Sequence, residues 1–167
     1  MSRERRASAN PALGFVLRFL GIWALLLAAN AFLPAVIAAA IAATRISVTA
    51  TLAALGIHTG VHGNVVYAGP ASIAIVAECT PVFPYLTLAA ALLAFPAPWA
   101  ARAIGLGVAL PALWIYNIAR ILVSLAVLAR APRLFDLVHG YLWQAATILV
   151  VVGMFLLWVR RLPREAP

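Results

Sequence analysis

The chain has 167 residues, 66% of them hydrophobic and only 10% charged, and a formal net charge of +8 that comes from twelve arginines without a single lysine. Soluble domains carry about 25% charged residues, so this composition, with a mean hydropathy of +1.06, excludes an ordinary water-soluble globule and indicates an integral membrane protein. The arginines sit at segment ends and not along one face, which excludes a nucleic-acid footprint, and the lone cysteine, Cys79, excludes an internal disulfide.

Residues 1–11 form a basic tail containing Arg3, Arg5 and Arg6. The apolar run within 12–43 is too long for a signal-peptide core and continues through PAVIAAAIAAT without polar relief. It reads as an uncleaved first spanning helix, with Pro34 marking a kink or the end of its buried part. Residues 44–78 are the one long segment that is not plainly spanning. Its first part, TRISVTATLAALGIH, sets Ile46, Thr49, Leu52, Ala53 and Leu55 near one stripe and predicts an amphipathic helix at the interface. Its second part, VHGNVVYAGPASIAIV, has β-branched runs on both sides of AGPAS and predicts a short β-hairpin.

Further spanning helices are expected at 81–95, closed by Pro96 and Pro98, at 99–128, loosened near Pro111, and at 137–159. The first of these reaches only ~23 Å at ~1.5 Å per residue, short of a ~30 Å hydrocarbon core. A second basic tail covers 160–167. The expected fold is therefore an all-α membrane protein of one domain, 1–167, with about four transmembrane helices. An outer-face amphipathic helix and a β-hairpin lie between the first and second.

Orientation follows from the arginines. Arg3, Arg5, Arg6, Arg102, Arg160, Arg161 and Arg164 fall on the side of the termini, against Arg45, Arg130 and Arg133 on the other. The positive-inside rule then places both termini in the cytoplasm and 44–78 on the outer face. On this topology Cys79 opens the second helix from outside. Arg120, ~31 Å along the third from Trp99, nears the outer boundary, and His139 opens the fourth. Three segments thus bring a thiol, a guanidinium and an imidazole to one level.

These residue types suit one chemistry. A thiol becomes a strong nucleophile as thiolate, and a neighbouring imidazole or cation favours that form. His139 can take the proton and return it to a leaving amine. Arg120 can hold a thiolate, an oxyanion or a substrate carbonyl. Asn117 shares a helical face with Arg120 and can orient it or add an oxyanion donor. Glu78 is close enough to pair with Arg120 or hold His139.

The pattern resembles the exosortase/archaeosortase membrane transpeptidases, most like their compact H type. The likeness is carried by ECT at 78–80, YNIAR at 116–120 and VHGYLW at 138–143, and covers roughly 46–158. It implies Cys79 as nucleophile, completed by Arg120 and His139. It also implies substrates that are exported proteins ending in a short motif, a hydrophobic span and a basic cluster. Such proteins would be cleaved at the outer face of a bacterial inner membrane and passed to an acceptor, without metal, cofactor or nucleic acid. Many members have glycine soon after the cysteine, where this chain has Pro81. Small residues Gly105, Gly107 and Ala109 are expected to let the substrate's helix approach closely.

Each residue also has a bland reading. Cysteine is often a small buried hydrophobe, Arg120 can be a snorkelling anchor, and His139 can cap its helix beside Asp136. A metal site from His58, His62 and Glu78 is disfavoured by the glycine within HTGVH. Trp23, Trp99, Trp114, Trp143 and Trp158 read as interfacial belt or packing residues. The alternative functions are a non-catalytic, helix-binding accessory subunit and a transporter component with Arg120 in an anion path.

Overall fold

The computed structural model describes residues 10–162. Arg3, Arg5, Arg6 and Arg164 of the expected tails lie outside them. Helix α1, Pro11–Ala31, begins where Asn10 accepts the backbone N–H of Ala12 at 3.0 Å, a side-chain cap for an otherwise orphan donor. It stops at Phe32 and Leu33, because Pro34 has no N–H and its ring excludes a preceding helical carbonyl. Pro34 then heads a new helix, α2, Pro34–Ala54. The expected single helix over 12–43 is therefore two, and the expected interfacial helix is the second half of α2. Its buried stripe is also different: Thr44, Val48 and Leu52 face inward, while Ile46 is 59% and Leu55 65% exposed.

Three antiparallel strands follow: β1 Thr59–His62, β2 Val65–Ala68 and β3 Ala71–Ala74, in the order β1-β2-β3. The predicted hairpin around AGPAS is the β2–β3 pair, with Val66 opposite Ile73. Strand β1 was not expected. Both hairpins turn through two residues led by a glycine at positive φ, Gly63 at 57° and Gly69 at 58°, which suits the tight right-handed connection of two strands.

Helix α3, Val82–Ala94, has 13 residues. A tight turn follows, in which Arg102 donates to the Phe95 carbonyl at 3.1 Å and stacks over Trp99 at 4.7 Å. Helix α4, Trp99–Arg130, is uninterrupted over 32 residues despite Pro111, or ~48 Å. Helix α5, Trp143–Arg161, is preceded by a π-helical turn, Leu137–Leu142, where a plain α-helix was expected. Among the described residues four helical segments are long and apolar enough to cross a membrane: α1, α2, α4 and the run Pro132–Arg161. Helix α3, expected to be one of the four, is below that length.

The two ends of the bundle are built differently. At one end Phe15, Phe95, Phe155 and Trp158 join α1, α3 and α5 through ring centroids 5.8–6.2 Å apart, and Trp158 donates to the Ala101 carbonyl of α4 at 3.0 Å. At the other end α2, the sheet and the later half of α4 share a core that includes Val48, Leu52, Val66, Ile75, Cys79 and Ile121. Trp114 of α4 donates to Ser47 of α2 there, at 3.2 Å.

Gly105 is spoken for by this packing, since a Cβ there would meet Trp158 Nε1 at 2.7 Å. Ala109 is buried with Leu88, Leu92 and Leu113. Of the three small residues expected to admit a foreign helix, only Gly107 is open. Gly105→Val should displace the indole and lower stability by about 1–3 kcal/mol. Gly107→Val should stay within about 0.5 kcal/mol of the parent, both read by denaturant unfolding in detergent.

Candidate active site

The peptide that carries the thiol leaves the sheet directly. Ile75, fully buried, continues from β3 and donates its N–H to the Asn64 carbonyl at 2.8 Å. Val76 is extended, and Ala77–Cys79 closes one 3-10 turn through Cys79 N–H to Val76 O and Thr80 N–H to Ala77 O. The next bond in that ladder would run from residue 81 to the Glu78 carbonyl. Pro81 has no N–H to give. It stands instead as the N-cap of α3 and accepts from Tyr85 at 2.9 Å.

Helix α4 supplies the missing donors. Arg120 Nη2 donates to the Glu78 carbonyl at 2.8 Å, and Asn117 Nδ2 donates to the Cys79 carbonyl at 2.6 Å. Asn117 is 4% exposed, so its bond is made away from water. The two residues are three apart and project from one face of the helix, so a single helical surface grips two successive carbonyls. Cys79 is itself 4% exposed, and its Sγ lies 3.6 Å from the Ala74 carbonyl, to which the thiol donates.

His139 approaches from the π-helical turn. Its ring stacks on Phe135 at 5.0 Å between centroids, nearly parallel at 8°, and its Nδ1 is buried without a hydrogen-bond partner. Two charges act on it, those of Arg120 and Asp136. One turn further along, Trp143 meets Tyr116 of α4 edge to face at 6.1 Å, and Tyr116 shares a 3.0 Å hydrogen bond with Thr147. The face of α4 that holds the thiol's turn therefore also meets the start of α5. A single π-helical turn adds a residue per turn and re-aims the side chains that follow.

The structure joins Asn117 to the Cys79 carbonyl and Arg120 to the neighbouring Glu78 carbonyl, and sets His139 within the electrostatic reach of Arg120. Among the described residues no hydrogen bond joins His139 to Cys79. Glu78 departs from expectation: its carboxylate is exposed and unpaired among the described residues, and its backbone carbonyl is what Arg120 takes. The reason is the proline, which leaves that carbonyl in need of a donor. His58 and His62 are exposed on and beside β1, away from Glu78's turn. Tyr116, Trp143 and Thr147 were not singled out as site residues by sequence, although Tyr116 opens the YNIAR motif. Beside the turn, an apolar cleft of about 380 Å³ runs between α1, α2, α3 and α4, lined by Leu33, Val36, Pro81, Tyr85, Leu110 and Trp114.

No family model, curated protein or solved structure matches this chain.

Asn117→Leu fills similar space but leaves the buried Cys79 carbonyl without a donor. It should cost about 1–3 kcal/mol of stability and loosen the turn, so that a small thiol reagent alkylates Cys79 several-fold faster than in the parent.

Proposed function

We propose that the protein is a membrane-embedded cysteine transpeptidase, acting at the outer face on the C-terminal tails of exported proteins. The observation that carries this reading is the grip of Asn117 and Arg120 on the Glu78–Cys79 turn, made by the same helix face that meets the His139 turn. The two bonds that supply donors the proline cannot give also fix the backbone that carries the thiol.

The place of the sheet at a water-facing end is supported by physics independent of the arginine count. An open three-stranded sheet leaves unpaired edge groups, which hydrocarbon does not tolerate. The sheet end is thus the end that meets water, and Cys79 sits at its junction with α3. The positive-inside rule makes that side the outer one.

In the proposed cycle the thiol first turns away from the Ala74 carbonyl, since a thiolate gains nothing from facing an acceptor oxygen. Its proton passes to His139, and Sγ attacks the scissile carbonyl carbon. The Arg120 guanidinium stabilises the oxyanion. Collapse of the tetrahedral intermediate breaks the C–N bond, His139 returns the proton to the leaving amine, and a thioester remains on Cys79. An acceptor nucleophile then displaces Sγ, with His139 taking its proton. The hydrophobic span of the substrate keeps it in the same bilayer, so the encounter occurs in two dimensions at the lip of the membrane.

One observation favours a second reading. Cys79 rests buried and bonded to Ala74, as a structural thiol would in a non-catalytic subunit that binds other transmembrane helices. Variants separate the two. Cys79→Ala should abolish tail processing while the protein remains inserted. His139→Ala should lower the rate roughly 10²–10⁴-fold and Arg120→Gln roughly 10²–10³-fold, measured by gel shift of co-expressed exported proteins that end in a span and a basic cluster. Unchanged processing in Cys79→Ala contradicts the transpeptidase and favours the accessory subunit.

A further inference from the structure

Buried polar atoms are nearly always paired, and the exceptions need an explanation. Three such exceptions belong to the facing surfaces of α4 and α5 at the sheet end: Arg120 Nε, His139 Nδ1 and Trp143 Nε1. The helices run in opposite directions there, and the residues form a short ladder. Tyr116 lies one turn before Arg120 on α4, and Trp143 lies one turn after His139. The lower rung is the edge-to-face contact of Tyr116 with Trp143 at 6.1 Å, and one helical turn on, Arg120 and His139 come level, close enough for the guanidinium charge to act on the imidazole. Three buried polar atoms without partners thus lie on two adjoining rungs between the helices.

The chemistry of the donors limits what pairs with them. The indole N–H and the guanidinium N–H donate and cannot accept. Tyr116 does not compete as a donor, because Thr147 gives its own proton to the Trp143 carbonyl at 2.7 Å and so receives that of Tyr116 at 3.0 Å. We propose that Trp143 and Arg120 together bind an sp² oxygen of the substrate, an amide carbonyl or a carboxylate, with the Trp143 indole as a donor additional to the guanidinium. This gives Trp143 a substrate-binding role where its position had indicated only packing. The inference deepens the transpeptidase reading and rests on it for the identity of the substrate as a peptide. The acceptor chemistry follows from the donors alone.

The test uses the full chain carrying Cys79→Ala, with its tryptophan indoles labelled with ¹⁵N, in maltoside micelles that contain no carbonyl or phosphate. Trp143→Phe, which keeps a ring against Tyr116, assigns the resonance. N-methylacetamide probes for an amide carbonyl and acetate for a carboxylate. The expected result is a saturable downfield shift of the Trp143 indole proton with at least one probe, the other four indoles staying still. Arg120→Gln should weaken that apparent affinity about ten-fold, the worth of one charge-assisted hydrogen bond. Movement with N-methylacetamide alone assigns a peptide backbone, and with acetate alone a chain-end or side-chain carboxylate; both uphold the site. No shift with either probe, or equal shifts of all five indoles, overturns it. The readout does not depend on catalysis. A specific shift, together with persistent processing by Cys79→Ala, would keep this site and remove the transpeptidase.

Discussion

The arrangement of the sheet end depends on two hydrogen bonds from one helix to one turn. Pro81 interrupts the backbone ladder just after Cys79, which takes the ladder donor from the exposed Glu78 carbonyl, and the Cys79 carbonyl beside it would otherwise face the buried interior without a donor. Arg120 and Asn117 satisfy them at 2.8 and 2.6 Å. Leaving a buried acceptor unmade costs more than a typical hydrogen bond gains, so the turn and α4 are held in one register. That register decides what else α4 presents beside the thiol: an unpaired guanidinium Nε and, through Tyr116, the contact with the start of α5.

The rest of the bundle is organised around keeping that register. Between helices in lipid, burial of apolar surface contributes little, and association relies on close packing and interhelical hydrogen bonds. The chain uses tryptophan for the second purpose repeatedly: Trp23 to Thr87, Trp114 to Ser47 and Trp158 to Ala101 each tie one helix to another at 3.0–3.2 Å. Trp143 alone of the five combines a buried indole nitrogen with no acceptor. At the far end the aromatic cluster around Phe155 holds α1, α3 and α5 together. The short α3, with 13 residues, is therefore anchored at both its ends by longer neighbours.

Much of the organisation was legible in local chemistry. Proline at position 34, the glycine-led hairpin at Gly69 and the turn after Phe95 follow from residues whose backbone limits are absolute, and the gathering of Cys79, Arg120 and His139 at one end follows from helix rise and the order of the spans. The failures have equally specific causes. Strand β1 went unseen because TGVH is short and interrupted by Gly60, a residue depleted in strand interiors, and it pairs with Val65–Ala68 alone. The inward stripe of α2 is set by the sheet and α4, which lie on the Thr44 side. The π-helical turn at Leu137–Leu142 has no local signature in the sequence. Glu78 was read for its carboxylate, whereas the adjacent proline makes its carbonyl the group that matters.

The central claim is that the face of α4 gripping the thiol's turn also brings that thiol opposite position 139. Because Cys79 is the chain's single thiol, His139→Cys creates one defined pair, and a short bis-methanethiosulfonate reagent reports whether the two positions meet. The account predicts efficient bridging within one chain, and none for Gly107→Cys, which lies 13 residues or ~20 Å before Arg120 along α4. No bridge at 139, or equal bridging at 107, would contradict it.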